Sequence, residues 1–398
     1  MTINTYEFRK GIYMISVNDL RTRLFESLWD IPEGIAYNAY LIIDERTVLI
    51  DGVKGIYSEV LIGEVKKLLG GRGLDYYVVH HGEPDHSGSF PKLIKEYPNV
   101  KVITTEVGFK IIRSLYPVSF NHITVSDGYE LIIGNRKLKF FQTPWLHWPD
   151  TFMTYLYGDK ILFSGDAFGS YGALTNGLWD KDYGDLHLSL SKRYFANIVA
   201  AFRSHVPKAI NKLSGYEIDL IAPAHGPLVG KVSDAVNTYL RWSKPELERK
   251  VLIIYGSMYG NLEEAVKHVA KGVEEVDVDA VVMKVPDTPI TYLVRELFDS
   301  PAIVLGIPTY DGSAFPYISL VLNLMKIKRF EGRYVGIVSS GLWSAVAESK
   351  VMKDLDEVKA TVDGKVSILG HPKGDDITKL VDLGRSLGRR AAEVVSKQ

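Results

Sequence analysis

The sequence contains no cysteine. It can therefore form no disulfide, no iron–sulfur or rubredoxin-type centre with cysteine ligands, and no thiol nucleophile, so electron-transfer chemistry would need another carrier. The chain also lacks a run of about 18 apolar residues, and residues 1–9 show no apolar stretch behind a basic flank. We therefore expect a cytoplasmic protein without a membrane partner.

An excess of charge of one sign is also missing. The chain has 47 Lys and Arg against 48 Asp and Glu, a formal net charge of -1. A chain with almost no net charge has no long-range electrostatic attraction for polyanions, so we expect neither a nucleic-acid partner nor binding to an anionic membrane surface. What the chain has is length, 398 residues of which 46% are hydrophobic. That is too long for one ordinary core and predicts two well-packed domains.

A polar stretch at residues 80–88, HHGEPDHSG, follows a strand-like run. If that strand ends at His81 and its alternation continues, the side chains of His81, Glu83 and Asp85 face one side, and His86 completes the set. Two imidazoles and two carboxylates without a thiolate suit divalent or trivalent transition metals. An ordinary polar loop is the alternative, and four ligand side chains at this spacing disfavour it.

The residues around this stretch alternate between strand and helix patterns. Residues 10–53 have turn signals between β-rich runs, which predicts antiparallel strands. Apolar spacing predicts an amphipathic helix at residues 57–69, directly before the metal stretch. Residues 90–97 are predicted to be helical and residues 100–104 extended. This pattern fits an αββα sandwich.

Three further candidate ligands follow strand-like runs, where a β-sandwich gathers functional loops. His147 lies in an aromatic loop, whereas Asp166 and His225 each end an apolar run. A buried, hydrogen-bonded structural role is the alternative for His147. Most of the other histidines are predicted to be structural or solvent-facing: His80, His122, His187, His205, His268 and His371.

The spacing of apolar residues changes in the second half of the chain. A helix is predicted at residues 232–242, and a charged turn at residues 243–246 predicts a domain boundary between residues 247 and 248. Beyond it, five short apolar strands alternate with helices, which predicts a doubly wound parallel sheet. The predicted strands are residues 251–255, 280–285, 302–307, 334–339 and 366–369, and the predicted helices are residues 263–275, 291–298, 314–327, 345–358 and 376–396.

The first turn of that sheet, residues 255–262 (YGSMYGNL), joins a strand to a helix. Its backbone N–H groups and the helix N-terminus can hold a phosphate. The turn has no Lys, unlike an NTPase loop, and it is not Gly-x-Gly-x-x-Gly, which disfavours a dinucleotide. Residues 306–312 and 339–344 lie where a ring system would bind in such a sheet. For Tyr310 and Trp343 the alternative is an ordinary core or surface aromatic.

These motifs resemble those of flavodiiron proteins (A-type flavoproteins). His-x-Glu-x-Asp-His resembles the metal loop of their metallo-β-lactamase-like domain, and Glu83 stands where hydrolases of that fold usually have His. The additional anionic oxygen suits a redox-cycling iron pair better than a zinc pair. Ser-Met-Tyr-Gly-Asn resembles the phosphate loop of their flavodoxin-like domain, and residues 306–312 and 339–344 resemble its second and third flavin loops.

The resemblance implies the fold and the metal ligands. The expected fold class is α/β, with an αββα metallo-β-lactamase-like sandwich at residues 1–247 and a flavodoxin-like five-stranded doubly wound sheet at residues 248–398. Two non-haem iron ions are implied, and whether His86 binds iron directly stays open. The implied ligands are His81, Glu83 and His147 for one iron, Asp85, His86 and His225 for the other, and Asp166 between them.

The resemblance also implies bound FMN. The chain departs from the family pattern at Leu262, where Thr is usual, and at Gly341 and Leu342, where an aromatic residue and Gly are usual. These departures leave the affinity for FMN open. The implied FMN-binding residues are Ser257, Met258, Tyr259, Gly260, Asn261, Pro308, Thr309, Tyr310, Asp311, Gly312, Ser340, Gly341, Leu342 and Trp343.

The implied activity is reduction of dioxygen to water, of nitric oxide to nitrous oxide, or of both. Electrons would pass from an external donor through FMN to the diiron site, and the donor could be a rubredoxin, a flavin reductase or a reduced deazaflavin coenzyme. The implied assembly is a head-to-tail homodimer or a dimer of dimers. One alternative is a dizinc hydrolase fused to a flavodoxin-like module. Another is a plain FMN electron carrier, which would make the seven ligand positions a coincidence.

Overall fold

The computed structural model describes residues 2–244 and 246–398. These residues form two compact units, residues 2–244 and residues 246–398. The turn predicted at residues 243–246 includes Pro245, which lies outside the described residues. The boundary predicted after residue 247 lies close to this division and stays a prediction. In the part of the chain that the structure describes, no helix is long and apolar enough to cross a membrane.

The N-terminal unit contains two large β-sheets. One sheet has the strand order β1-β2-β5-β6-β7-β8-β9 and the other runs from β10 to β14, while β3 and β4 form a separate pair. The strands are β1 (Thr2–Arg9), β2 (Ile12–Asp19), β3 (Leu24–Phe25), β4 (Trp29–Asp30), β5 (Ile35–Ile43), β6 (Thr47–Ile50), β7 (Tyr76–Val78), β8 (Lys101–Thr104), β9 (Asn121–Thr124), β10 (Glu130–Ile132), β11 (Lys137–Gln142), β12 (Phe152–Leu156), β13 (Ile161–Gly165) and β14 (Leu220–Pro223).

Amphipathic helices accompany these sheets. In the first of them, Leu61, Val65 and Leu69 recur at helical spacing and are buried, as the sequence predicts. Short turns of other helical types occur at Gly55–Tyr57, Asp180–Asp182, Phe195–Val199 and Ala200–His205. The α-helices are α1 (Ser58–Leu69), α2 (Pro84–Ser87), α3 (Phe90–Glu96), α4 (Glu106–Leu115), α5 (Asp185–Tyr194), α6 (Val206–Leu213) and α7 (Val232–Ser243).

The core of this unit lies between the two sheets. Tyr40 of β5 and Phe163 of β13 meet with their ring centroids 5.1 Å apart, and Phe140 and Phe152 belong to the same buried cluster. Each such side chain contributes about 1.5–3 kcal/mol on burial. The αββα sandwich is confirmed.

The C-terminal unit is built on one parallel sheet. Its order is β16-β15-β17-β19-β20, and the short β18 pairs antiparallel with β17. The predicted flavodoxin-like sheet is confirmed. The elements are β15 (Lys250–Tyr255), α8 (Asn261–Glu274), β16 (Asp279–Lys284), α9 (Ile290–Asp299), β17 (Ala302–Tyr310), β18 (Ser313–Ala314), α10 (Pro316–Lys328), β19 (Tyr334–Gly341), α11 (Ala347–Glu357), β20 (Thr361–Leu369) and α12 (Asp375–Ser396).

Parallel pairing brings the polar loops of each unit to common edges. In the N-terminal unit β6, β7 and β8 are parallel neighbours, and β13 is parallel to β14. In the C-terminal unit β15, β17 and β19 are parallel neighbours. The carboxyl ends of parallel neighbours lie at one edge, so the loops that follow them lie together.

Candidate metal centre and flavin site

The predicted metal loop, residues 80–88, does not continue the strand before it. Strand β7 ends at Val78, and Asp85 and His86 lie in the one-turn helix α2 that starts at Pro84. The prediction of a strand ending at His81 with continued alternation is therefore wrong. Pro lacks an N–H and has a fixed φ, which suits the first position of a helix. Asp85 and His86 are successive residues of this turn, and both side chains belong to one group of potential ligands.

Three ligand candidates arrive from the second sheet. Because β13 and β14 are parallel and Gly165 pairs with Pro223, Asp166 and His225 leave the sheet at the same edge. His147 lies in the loop between β11 and β12. The seven predicted ligands thus come together from separate segments, and all are buried.

One group of four side chains consists of His81, Glu83, His147 and Asp166. The Glu83 Oε2 lies 3.2 Å from the His81 Nε2 and 3.0 Å from the His147 Nε2. The Asp166 Oδ2 lies 3.5 Å from the His81 Nε2 and 2.8 Å from the His147 Nε2. Two carboxylate oxygens and two imidazole nitrogens therefore surround one point.

The second group consists of Asp85, His86 and His225, with the other oxygen of Asp166 beside it. The Asp85 Oδ2 lies 3.4 Å from the His86 Nε2 and 3.2 Å from the His225 Nε2. The Asp166 Oδ1 lies 2.8 Å from the His86 Nε2 and 3.6 Å from the His225 Nε2. The division into two groups is the one that the resemblance implies, while iron ligation by these residues, including His86, stays a prediction.

The unsatisfied atoms of the centre fit a pair of metal ions. The His86 Nε2, the His225 Nε2, the Asp166 Oδ1 and both carboxylate oxygens of Asp85 are buried and form no hydrogen bond, although the His86 Nε2 and the Asp166 Oδ1 lie only 2.8 Å apart. A buried polar atom without a partner costs about 1–3 kcal/mol. Metal coordination removes that cost, and mixed nitrogen and carboxylate donors without thiolate suit iron.

The buried imidazoles and carboxylates of the centre shift one another's pKa values. Burial lowers the pKa of His81, but the carboxylates of Asp166 and Glu83 outweigh it and raise the pKa well above its usual range. Against the same effect of burial, Asp166 and Glu83 raise the pKa of His147 to about 10. Burial raises the pKa of Asp166, but the His86 and His81 imidazoles hold it well below its usual range. The arrangement favours positive charge at its middle, whether protons or metal ions supply it.

Sequence reasoning missed two carboxylates that hold the metal loop, Asp51 and Asp150. Asp51 accepts from the backbone N–H of His80 at 3.0 Å and lies 2.7 Å from its Nδ1, and the His80 Nε2 lies 2.8 Å from the Thr154 Oγ1. His80 is thus structural, as predicted. Asp150 accepts from the N–H of Gly82 at 2.8 Å. Their signals were present, because Asp51 directly follows β6 and Asp150 shares the loop of His147.

The three predicted flavin loops line one cavity of about 320 Å³ at the carboxyl ends of β15, β17 and β19. The cavity is lined by every predicted FMN residue except Gly260, and Leu262 and Ser344 add to it. Gly260 lies in the first loop and precedes α8. FMN contacts stay a prediction for each of these residues.

The first and second loops fit a phosphate and a polar ring edge. Helix α8 starts at Asn261, so its first backbone N–H groups face the loop, and the Ser257 Oγ accepts from the N–H of Gly260 at 3.1 Å. The Thr309 Oγ1 is buried without a hydrogen-bond partner. Leu262 packs into the core of the unit. An apolar, core-packed side chain therefore stands where the family usually has the Thr hydroxyl, and phosphate binding by Ser257 and the helix N-terminus stays a prediction.

The third loop explains its departures from the family pattern. A Cβ on Gly341 would lie 1.7 Å from the backbone oxygen of Ser344, so no other residue fits this backbone path. The usual aromatic side chain is excluded there. Leu342 and Trp343 are exposed instead, Trp343 by 86%. The aromatic face of this loop is therefore presented by Trp343.

Two family comparisons match the two units. Residues 35–226 match the family described as ODP family beta lactamase, and residues 253–376 match the Flavodoxin family. Each match covers the loops that carry the corresponding candidate site.

Named proteins are similar over most of the chain. A nitric oxide reductase of Moorella thermoacetica is 28% identical over 96% of this chain and 98% of its own length. A rubredoxin-oxygen oxidoreductase of Megalodesulfovibrio gigas is 29% identical over 84% of this chain and 85% of its own. Both names describe reductases of small gases.

Solved structures are similar over the whole fold. A flavodiiron protein of Giardia intestinalis has a TM-score of 0.94 and 28% identity, covering 100% of this chain and 99% of its own. A variant flavodiiron protein of Thermotoga maritima has a TM-score of 0.89 and 31% identity, covering 98% of this chain and 99% of its own.

Proposed function

Since the chain belongs to the flavodiiron protein family and is an oxidoreductase, we propose that it reduces dioxygen to water, nitric oxide to nitrous oxide, or both. Its cofactors are FMN and two non-haem iron ions. The observation that carries the proposal is the position of Asp166, whose Oδ2 faces His81 and His147 while its Oδ1 faces His86 and His225. A carboxylate in this position can bridge two ions.

Different residues of the chain would hold the two cofactors. When bound, FMN takes up electron pairs and gives electrons singly, and two ferrous ions bind and reduce the gas. Glu83, Asp85 and Asp166 supply three negative charges against two ferrous ions, so the buried centre keeps about one positive charge. The sandwich excludes bulk water from the ligand atoms, since all seven side chains are buried.

The alternatives receive less support. The names of the two relatives describe reduction of nitric oxide and oxygen, which favours a reductase over a dizinc hydrolase. A plain FMN electron carrier would not need ligand atoms that converge in two groups around one shared carboxylate.

An external electron donor is part of the proposal. The name of the Megalodesulfovibrio gigas relative pairs rubredoxin with oxygen. This name supports a rubredoxin as the donor over a flavin reductase or a reduced deazaflavin coenzyme. We also propose a head-to-tail homodimer or a dimer of dimers. Exposed apolar side chains around the flavin cavity support burial of this rim in an assembly: Met258, Tyr259, Tyr310, Leu342 and Trp343.

The cofactor content tests the proposed function directly. We expect the purified chain to contain two iron ions and one FMN, because the two ligand groups each suit one ion and the three loops form one cavity. Elemental analysis and flavin absorbance measure both, alongside anaerobic assays of oxygen and nitric oxide consumption. Catalytically competent protein with two zinc ions per chain would contradict the diiron assignment.

Subunit complementation tests the head-to-tail dimer. One chain carries Asp166→Ala to remove paired iron, and the other carries Asn261→Glu to remove FMN. If the flavin of one subunit serves the irons of the other, a mixed dimer has one competent pair and regains about half of the wild-type turnover per dimer. Separately tagged chains, co-expressed and purified through both tags, allow this measurement. Mixed dimers that stay as inactive as either parent would show that each flavin serves its own chain.

A further inference from the structure

The residues around His225, which follow β14 of the second sheet, are held by strand β5 of the first sheet. The backbone N–H of Asn38 donates to the Ala224 carbonyl at 2.9 Å. The Asn38 Nδ2 donates to the Pro223 carbonyl at 2.9 Å and to the Gly226 carbonyl at 2.8 Å. Asn38 therefore donates to backbone carbonyls both before and after His225.

The neighbours of Asn38 on β5 contact the same residues. Strand β6 pairs with β5 from Tyr40 to Ile43, so the part of β5 before Tyr40 extends past that pairing. The Ala36 carbonyl lies 2.8 Å from the His225 Nδ1, and the Tyr40 hydroxyl donates to the Pro223 carbonyl at 2.7 Å. Residues two apart on a strand face the same side, so one side of β5 holds both the ring and the backbone of His225.

The contact with Ala36 fixes which nitrogen of His225 is available to a metal. A carbonyl oxygen only accepts, so the His225 Nδ1 carries the ring proton and the Nε2 has a free lone pair. The Nε2 lies 3.2 Å from the Asp85 Oδ2 and 3.6 Å from the Asp166 Oδ1. The free nitrogen thus belongs to the second ligand group, and its place depends on the backbone that Asn38 holds.

The burial of Asn38 gives its two side-chain donors a purpose. The residue is 0% exposed, and its Oδ1 makes no hydrogen bond. Burial of an amide costs free energy unless hydrogen bonds offset it. The bonds that offset it here are the two from the Nδ2, and both end on carbonyls beside His225. An apolar side chain of the same size would fill this place without that cost, but it would leave those carbonyls without the Asn38 amide.

We propose that Asn38 is a positioning residue of the second ligand group, which consists of Asp85, His86 and His225, and that it acts by holding the backbone on both sides of His225. This inference rests on the proposed function. Residues that orient a metal ligand without touching the metal typically contribute about 10–100-fold to metal affinity. The iron of the second ligand group should therefore depend on Asn38 more than the other iron does.

Asn38→Leu removes the two side-chain donors and keeps a similar size. The Gly226 carbonyl then loses the Asn38 amide, whereas the Pro223 carbonyl keeps the hydroxyl of Tyr40. We expect a chelator to remove the iron of the second ligand group about 10–100-fold faster than from the wild type. The release rate of the other iron and the FMN content should stay at wild-type values.

Three further variants serve as references. His147→Ala and His225→Ala assign the two phases of iron release to the two ligand groups. Tyr40→Phe is the matched control, because it also removes a buried hydrogen bond from β5 to the Pro223 carbonyl but leaves the Asn38 amide in place. It should release both irons at wild-type rates, and its unfolding temperature measures the effect of one lost hydrogen bond at this place.

Three results would overturn the inference while iron binding by the unmutated chain stands. The first is release of the second iron from Asn38→Leu at the wild-type rate. The second is equal acceleration of both irons, and the third is acceleration by Tyr40→Phe as large as that by Asn38→Leu. The last two would assign the effect to the stability of the unit. An unmutated chain that binds no iron pair would overturn the proposed function itself, and this inference with it.

Hydrogen exchange on the unmutated chain covers the case in which Asn38→Leu does not fold. If Asn38 favours metal binding by His225, the metal favours the contact between them by the same factor, because coupling between sites is reciprocal. Exchange of the Asn38 backbone N–H should therefore slow about 10–100-fold when iron-free protein is loaded anaerobically with ferrous iron. The reference is the N–H of Phe140, which donates to the Tyr129 carbonyl in the second sheet. Exchange at Asn38 that iron does not slow, or slows only as much as at Phe140, would overturn the inference.

Discussion

Replacement of Asp166 by alanine is expected to abolish paired iron binding and to reduce gas consumption to background, while FMN stays bound. The side chain lies between the two ligand groups, and its Oδ1 and Oδ2 each lie 2.8 Å from an imidazole nitrogen of a different group, that of His86 and that of His147. Alanine leaves both groups one carboxylate oxygen short and removes the shared negative charge between two cations. The flavin cavity belongs to the other unit and contains no atom of Asp166.

Iron analysis, flavin absorbance and consumption of oxygen or nitric oxide check this result. Asp180→Ala is the matched control, because Asp180 is another buried aspartate of the same unit that accepts from Lys181, Gly230 and Lys231. It should lower the free energy of unfolding by about 1–3 kcal/mol through its lost acceptor and keep both irons. Full iron content and turnover in Asp166→Ala would remove Asp166 from the bridging role.

The sequence predicted which side chains converge better than it predicted the local backbone path that presents them. Ligand side chains at the ends of strand-like runs were readable, because strand ends meet at one edge whenever the strands pair in parallel. The prediction of a strand to His81 was wrong, because β7 ends at Val78, and beyond it the one-turn helix from Pro84 does not follow the period-two alternation. Distances between segments, such as those around Asp166, depend on pairing of β13 with β14, which no local pattern specifies.

The aspartates that hold the metal loop and the residues of the flavin loops show a second limit of prediction from the sequence. Asp51 and Asp150 looked like ordinary loop aspartates, since their hydrogen bonds to the metal loop join segments far apart in the chain. In the sequence, Leu262 and Gly341 are departures from the family pattern that leave the affinity for FMN open. The structure gives each a local reason, since Leu262 fills the core and Gly341 lies where a Cβ would meet the Ser344 oxygen. Contacts with neighbouring atoms explain the residue at both positions, and a sequence motif does not show those contacts.

Asn261→Glu is expected to remove FMN, to keep both irons and to lower donor-driven gas consumption nearly to background. Asn261 is the first residue of α8 and lines the flavin cavity. The N-terminus of a helix favours a negative group by about 0.3–1 kcal/mol. A glutamate there occupies that favourable position with its own carboxylate and repels the FMN phosphate. The unit should therefore stay folded while its ligand is lost.

Asn261→Gln isolates the charge, because glutamine has the size of glutamate without its negative charge. This variant should keep FMN, with weaker binding than wild type, and should keep most of the donor-driven turnover. Flavin absorbance, iron analysis and the unfolding temperature establish the state of each variant before turnover is compared. If FMN is the entry point for electrons, protein reduced chemically beforehand should still complete a single turnover in the Glu variant, whereas sustained turnover from an external donor should require flavin. The contrary result would be normal donor-driven turnover by Asn261→Glu protein that is shown to lack flavin and to contain both irons. Electrons would then reach the metal centre by another route, and the proposed electron transfer from FMN to the diiron centre would be wrong.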